Sequence, residues 1–148
     1  MERSDIVYQT YLKILKRELI SAMGCTEPVA LAYCASVARA TLGSQPDRIT
    51  VEASGNIIKN VKSVVVPNTG GQRGIPAAVC IGVLAGDEKA GLQVLSRVTS
   101  EEKERLVSYM KETPVEVRPL ISENLLDMIV TVHAGDSSAA VQIGRAHV

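Results

Sequence analysis

The sequence predicts an α+β fold, in which helices rich in alanine, valine and leucine pack with a small, mainly antiparallel sheet. Two long segments are apolar on nearly every side, as is typical of buried helices. Several short segments alternate apolar and polar residues, as is typical of half-buried strands. The last two of these segments are separated only by residues 134–137, which predict a hairpin turn.

The first predicted helix covers residues 4–22, with Ser4 or Asp5 as its cap. Its apolar side chains recur at three- and four-residue spacing, and charged residues fill most of the opposite face. The members of this stripe are Tyr8, Tyr11, Leu12, Leu15 and Leu19. The second predicted helix, residues 27–42, is apolar nearly all round and should be buried, with Gly43 ending it.

The middle of the chain alternates short elements with loops. Residues 49–53 alternate as a half-buried strand, and residues 57–61 form a short helical turn. Residues 64–66 are either a buried strand or a helix extension. Residues 75–85 are the second all-apolar helix, because they carry no charged side chain.

The last third is predicted to hold two helices and three strands. A short helix is expected first, and then a charged helix that Thr99 or Ser100 caps. The predicted helices are residues 88–95 and 100–111, and the predicted strands are residues 115–117, 128–133 and 138–143.

Composition narrows the range of functions. Sixteen basic residues balance sixteen acidic ones, and four tyrosines are the only aromatic residues, which argues against a nucleic-acid surface. The longest apolar run is too short to span a membrane, and the polar N-terminus does not resemble a signal peptide, so we expect a cytoplasmic protein. We therefore expect no nucleic-acid partner and no membrane partner. A homo-oligomer is compatible with the sequence.

The last residues of the sequence follow a strand pattern that stops abruptly, and residues 143–148 resemble a translated sequencing adapter. We interpret residues 1–142 as the N-terminal part of a longer domain and residues 143–148 as a non-native tail, which indicates a chain cut short. His147 is therefore left out of the candidate site.

The strongest candidate for chemistry is the stretch Gly24-Cys25-Thr26-Glu27-Pro28, where the second helix should begin. A cysteine at a helix N-terminus faces unpaired N–H groups, which favour thiolate over thiol. Cys34 lies about half a turn away around the helix, so the two thiols should point apart. Cys34 and Cys80 are both expected in the core, and the three cysteines show no disulfide pattern.

Two further glycine-punctuated stretches interrupt apolar elements, at residues 54–60 and 68–71. Both are expected to lie with residues 24–28 around one cleft, where their hydroxyl, amide and N–H groups would bind a small carboxylate. Taken singly each signal is weak, since a Thr-Gly-Gly loop is usually only a turn. Lys59 is more typical of a solvated lysine than of a buried base.

Taken in order, the three stretches resemble the L-cysteine desulfidase family, which is related to the α-type domain of iron–sulfur L-serine dehydratases. The resemblance runs from about residue 10 to residue 142 and covers only the N-terminal portion of that family's chain. It implies a small amino-acid substrate as the partner, with β-elimination of L-cysteine to pyruvate, ammonia and sulfide through a [4Fe–4S] cluster and without pyridoxal phosphate.

The resemblance also implies roles for single residues. Cys25 stands where the family has a cluster ligand, and the other two ligand cysteines would lie outside this chain, leaving the fragment inactive. Glu27 and Lys59 are the candidate catalytic residues. The predicted substrate-binding residues are Thr26, Ser54, Gly55, Asn56, Asn60, Thr69 and Gly70.

Two other functions are compatible with the same residues. One is elimination from L-serine instead of L-cysteine. The other is a non-catalytic module that holds a small carboxylate in the loops around Ser54 and Thr69.

Overall fold

The helices and strands follow one another in nearly the predicted order and give an α+β fold. The protein is represented by a computed structural model that describes residues 2–144. The helices are α1 (Ile6–Glu18), α2 (Thr26–Leu42), α3 (Gly55–Val61), α4 (Gly74–Ala85) and α5 (Ser100–Glu112). The strands are β1 (Arg48–Ala53), β2 (Val115–Pro119), β3 (Asp127–Ala134) and β4 (Ser137–Gly144).

The four strands form one sheet in the order β2-β1-β3-β4. β1 pairs with β3 and β3 with β4 in antiparallel fashion, whereas β1 and β2 run parallel. In this register Val51 lies opposite both Val117 and Val130. The alternating side chains of β1 and β3 are buried, so the core face of the sheet is built from valine, isoleucine, alanine and methionine.

α2 packs on β3 and β4, and α4 packs on α2, so these two helices form the interior layer. Their approach is close, because a Cβ atom on Gly82 of α4 would clash with the backbone of Ala32 on α2. Cys34 and Cys80 are 0% exposed, which confirms their predicted place in the core. The Cys34 thiol donates a hydrogen bond to the carbonyl oxygen of Val141 at 3.0 Å.

α1 begins where predicted, since the Asp5 carboxylate accepts a hydrogen bond from the Val7 N–H at 2.9 Å. It ends at Glu18, four residues before the predicted end, because Leu19 is already extended. None of its thirteen residues is buried. The apolar stripe of α1 is therefore largely exposed to solvent, with only Tyr8 and Leu12 half-buried among its members.

Two segments have a different structure from the one predicted. Residues 88–95 contain only a 3-10 turn at Gly91–Gln93, because the Asp87 carboxylate accepts the Lys89 N–H and starts a turn instead. Residues 64–66 are neither strand nor helix, and Val65 forms a single antiparallel bridge with Arg73. The predicted cap of α5 is confirmed as a reciprocal pair between Thr99 and Glu102.

Within residues 2–144 no helix is both long and apolar enough to cross a bilayer. Ile143 and Gly144, the first residues of the predicted tail, form the end of β4. The rest of that tail, residues 145–148, lies outside the described residues.

Candidate functional site

Cys25 lies directly before α2, and its thiol is on the surface. It does not cap the helix through its side chain. Instead its Sγ donates to Oε2 of Glu27, in the first turn of α2, over 3.0 Å. The predicted motif thus forms a thiol–carboxylate pair at the start of a buried helix.

The hydrogen bond sets the protonation of both groups. The Glu27 carboxylate raises the pKa of the Cys25 thiol through the hydrogen bond, with further contributions from burial and from its negative charge. The pKa of Glu27 is lowered, mainly by the same hydrogen bond. The expectation that the helix N-terminus favours a thiolate at Cys25 is therefore wrong, because a nearby carboxylate outweighs the backbone N–H groups.

Asn60 connects the pair to a second element. Its side chain amide lies close enough to Glu27 to make a further, smaller contribution to the lowered pKa of that carboxyl group. Asn60 lies in the last turn of α3, and Glu27 is half-buried between its two partners. Cys25, Glu27 and Asn60 are thus three sequence-predicted residues that the structure brings together.

The loop before Cys25 touches the third predicted stretch. Gly24 has a φ of 152°, and a Cβ atom there would lie 3.2 Å from Cγ of Pro67. Pro67 stands directly before the Asn68-Thr69-Gly70-Gly71 turn. The glycine at position 24 indicates a turn in the sequence, but no sequence feature predicted that this turn would lie against Pro67.

The hydroxyl groups of the other two stretches are used by the fold. Ser54 is buried, and its Oγ donates to the carbonyl oxygen of Leu125 at 2.7 Å. Thr69 is also buried, with Oγ1 2.7 Å from the carbonyl oxygen of Val66. Asn68, at a positive φ of 57°, fixes the same turn by donating to the Leu95 carbonyl.

The remaining predicted residues are exposed. Thr26 is the first residue of α2, and Gly55 and Asn56 open α3. Lys59 is on the exposed side of α3, next to Asn60, and Gly70 is at the tip of its turn with a φ of 70°. Backbone and amide groups, more than hydroxyl groups, are therefore available to a ligand here.

A [4Fe–4S] cluster needs several thiolate ligands, and the described residues do not supply them. Burial raises the pKa values of Cys34 and Cys80 to about 12, so both are protonated as well as inaccessible. No group of three His, Cys, Asp or Glu side chains in the described part of the chain is placed to hold a metal ion. Cys25 alone does not fit the cluster.

Comparisons with known proteins give a different relationship from the predicted one. The chain is 48% identical over 147 residues to the UPF0597 protein of Desulfitobacterium hafniense, covering 99% of this chain and 34% of that protein. It is 41% identical over 141 residues to one from Lachnoclostridium phytofermentans, again covering 34% of the relative. A UPF0597 protein from Treponema denticola is 38% identical over 140 residues, and this match covers 95% of this chain and 32% of that protein.

These relatives correct the family prediction. Their matches cover 95–99% of this chain and carry the name UPF0597, so the assignment to the L-cysteine desulfidase family, as an N-terminal fragment of it, is wrong. Short glycine-punctuated motifs specify turns and helix starts, and such local shapes are weak markers of family. The chain spans about a third of the length of the relatives. No protein-family model matches the chain, and no solved structure matches it.

Proposed function

We propose that the surface around Cys25 is part of the active site of a lyase that releases sulfide from L-cysteine by β-elimination in the whole protein. The observation that supports this most directly is the exposed Cys25 thiol, which donates to the Glu27 carboxylate at 3.0 Å. A proton donor and a proton acceptor in contact on one surface are the two groups that an elimination requires.

The proton transfers balance around this pair. The ionised Glu27 accepts the Cα proton of the substrate as the Cβ–S bond breaks, and the Cys25 thiol gives its proton to the leaving sulfur. Glu27 then returns a proton to Cys25 along their hydrogen bond. The products are hydrogen sulfide and aminoacrylate, which reacts with water to give pyruvate and ammonia. The lowered pKa of Glu27 and the raised pKa of Cys25 keep both groups in the starting forms at neutral pH.

Neighbouring groups would hold the substrate. The exposed amides of Asn56 and Asn60 are donors for a carboxylate, and the start of α2 at Thr26 adds backbone N–H groups. Lys59 remains a candidate base and Gly55 and Gly70 candidate contacts, whereas Ser54 and Thr69 would act by shaping their turns. An electrophile that acidifies the Cα proton would come from the rest of the whole protein.

Two alternatives use the same surface. L-serine differs from L-cysteine only in its leaving oxygen, so the pair would serve its elimination equally. A carboxylate-binding module without catalysis is favoured by the exposed amides of Asn56 and Asn60, of which Asn60 lies near the first turn of α2, because amide and N–H donors need no proton transfer to hold a carboxylate. We also propose that the protein is cytoplasmic, because its three cysteines are free thiols and free thiols are typical of a reducing compartment.

The test uses the whole-length D. hafniense relative under anaerobic conditions, with sulfide and pyruvate release measured from L-cysteine and L-serine. At the matching positions, Glu27→Gln and Cys25→Ser should each lower kcat/KM about 100-fold or more, since general acid–base groups contribute at least that much. Glu101→Gln is the matched control, because Glu101 is an exposed glutamate in the first turn of α5.

The outcomes separate the three functions. Release of sulfide that depends on Glu27 and Cys25 supports the proposal, and release of pyruvate from L-serine alone supports the serine alternative. A wild-type relative that binds L-cysteine in calorimetry but releases neither product would overturn the lyase in favour of the binding module.

A further inference from the structure

The surface of α1 is unusual for a helix of this domain. Of the helices with twelve or more residues in the described chain, α2, α4 and α5 each bury side chains, whereas α1 buries none. Its exposed apolar side chains include Tyr11 at 54% and Ile14 and Leu15 at 50% each. An amphipathic helix with an open apolar face marks an interaction surface.

The open face is one continuous stripe. At 100° per residue, Val7, Tyr11, Ile14 and Leu15 fall on one side of α1, together with Tyr8 and Leu12, and Glu18 ends this side in the last turn of the helix. Lys13, Lys16 and Arg17 lie on the other side. Charged residues thus keep the other side in water, and the apolar side, from Val7 to Leu15, is about 12 Å long at 1.5 Å per residue.

The stability of such a helix also calls for a partner. Isolated helices shorter than about 12–15 residues are marginal in water, and protein helices gain most of their stability from packing an apolar face. α1 has thirteen residues and one N-cap bond, from Val7 to Asp5. In the segment that follows α1, the Ser21 carbonyl oxygen accepts a hydrogen bond from the Gln93 side chain at 2.6 Å, which connects this segment to the rest of the domain.

We propose that the apolar face of α1 packs against the two thirds of the whole protein that this chain does not span. The relatives support this occupant. The matches cover 95–99% of this chain but only 32–34% of each relative, so the relatives have about two thirds of their length outside the matched region. The occupant would present an apolar groove of about two helical turns. This inference does not depend on the proposed lyase activity.

The experiment is thiol labelling of the whole-length D. hafniense relative, resolved by peptide mass spectrometry. Cysteine is introduced at the position matching Leu15 (Leu15→Cys), on the apolar face, or at the position matching Lys13 (Lys13→Cys), on the opposite face. N-ethylmaleimide should modify the Leu15→Cys protein about tenfold or more slowly than the Lys13→Cys protein, because packed side chains react only after local opening. In the 148-residue chain the two rates should agree within about twofold.

A second measurement covers the case in which Leu15→Cys disturbs the packing. Hydrogen exchange of the unsubstituted relative should show α1 amides protected about tenfold or more over those of the 148-residue chain. Equal exchange in the two proteins, together with equal labelling at both positions, would overturn the proposal. Protection that appears only as the concentration rises would also overturn it, since a second copy would then be the occupant.

Discussion

α1 and α2 are neighbours in the sequence, and both are rich in apolar residues, yet they have opposite environments. α2 buries eight of its seventeen residues between the sheet and α4, whereas α1 buries none of its thirteen. The distribution of the residues explains this, because α2 is apolar on nearly all sides and α1 only along one stripe. An all-round apolar helix becomes the core of its own domain, and a striped helix needs a second surface.

The largest effect expected from this comparison is on stability. Leu31 on α2 is 0% exposed and Leu15 on α1 is 50% exposed. Leu31→Ala should lower the free energy of unfolding by about 2–5 kcal/mol, from lost burial and a cavity. Leu15→Ala should change it by less than about 0.5 kcal/mol in the 148-residue chain. Urea unfolding followed by circular dichroism measures both, and equal losses would refute the contrast.

The next effect tests how closely α2 and α4 approach. Gly82→Ala should destabilise the fold by about 1–3 kcal/mol, because the added methyl group meets the backbone of Ala32. Gly55→Ala is the matched control, since a Cβ atom there has no heavy atom within 4 Å. Thermal unfolding compares the two, and a Gly82→Ala protein as stable as the control would show that the helices are farther apart.

A buried carboxylate at the sheet gives an intermediate effect. Asp127 accepts hydrogen bonds from Ser122 at 2.7 Å and Gln142 at 3.0 Å, which lower its pKa. Its contribution to stability is therefore present above its unfolded-state pKa and is lost as pH falls through the lower folded value. Asp127→Asn should lower the free energy of unfolding by about 1–3 kcal/mol at pH 7. The difference from wild type should shrink below pH 4, and a constant difference across that range would contradict the assignment.

The smallest expected effect is on the alkylation rates of two thiols, Cys25 directly before α2 and Cys34 within α2. Cys25 is exposed and Cys34 is 0% exposed, so iodoacetamide should modify Cys25 alone in the folded protein. Glu27→Gln should speed this reaction severalfold at pH 8, because removing the carboxylate lowers the pKa of Cys25. Mass spectrometry after timed quenching gives the rates, with Glu101→Gln as control. A slower reaction in Glu27→Gln would reverse the assigned cause of the pKa shift.

The sequence was most informative where one periodic pattern covered a whole element. The all-apolar runs of α2 and α4 and the alternation of β3 and β4 predicted burial and pairing, because burial dominates their energetics. It failed at residues 88–95, where the side chain of Asp87 outcompeted a helical hydrogen bond. At the candidate site it placed Cys25 at a helix start but missed its bond to Glu27, since contacts two residues apart leave no periodic signal.

The position of β1 in the sheet has a consequence for synthesis on the ribosome. β1 is a central strand, and both of its partners, β2 and β3, follow it by more than sixty residues. While the intervening helices emerge, both edges of β1 remain unpaired, and such edges are templates for association with other nascent chains. Pairing begins only when Val115 and Asp127 leave the exit tunnel, so slow translation between β1 and β2 lengthens this exposure.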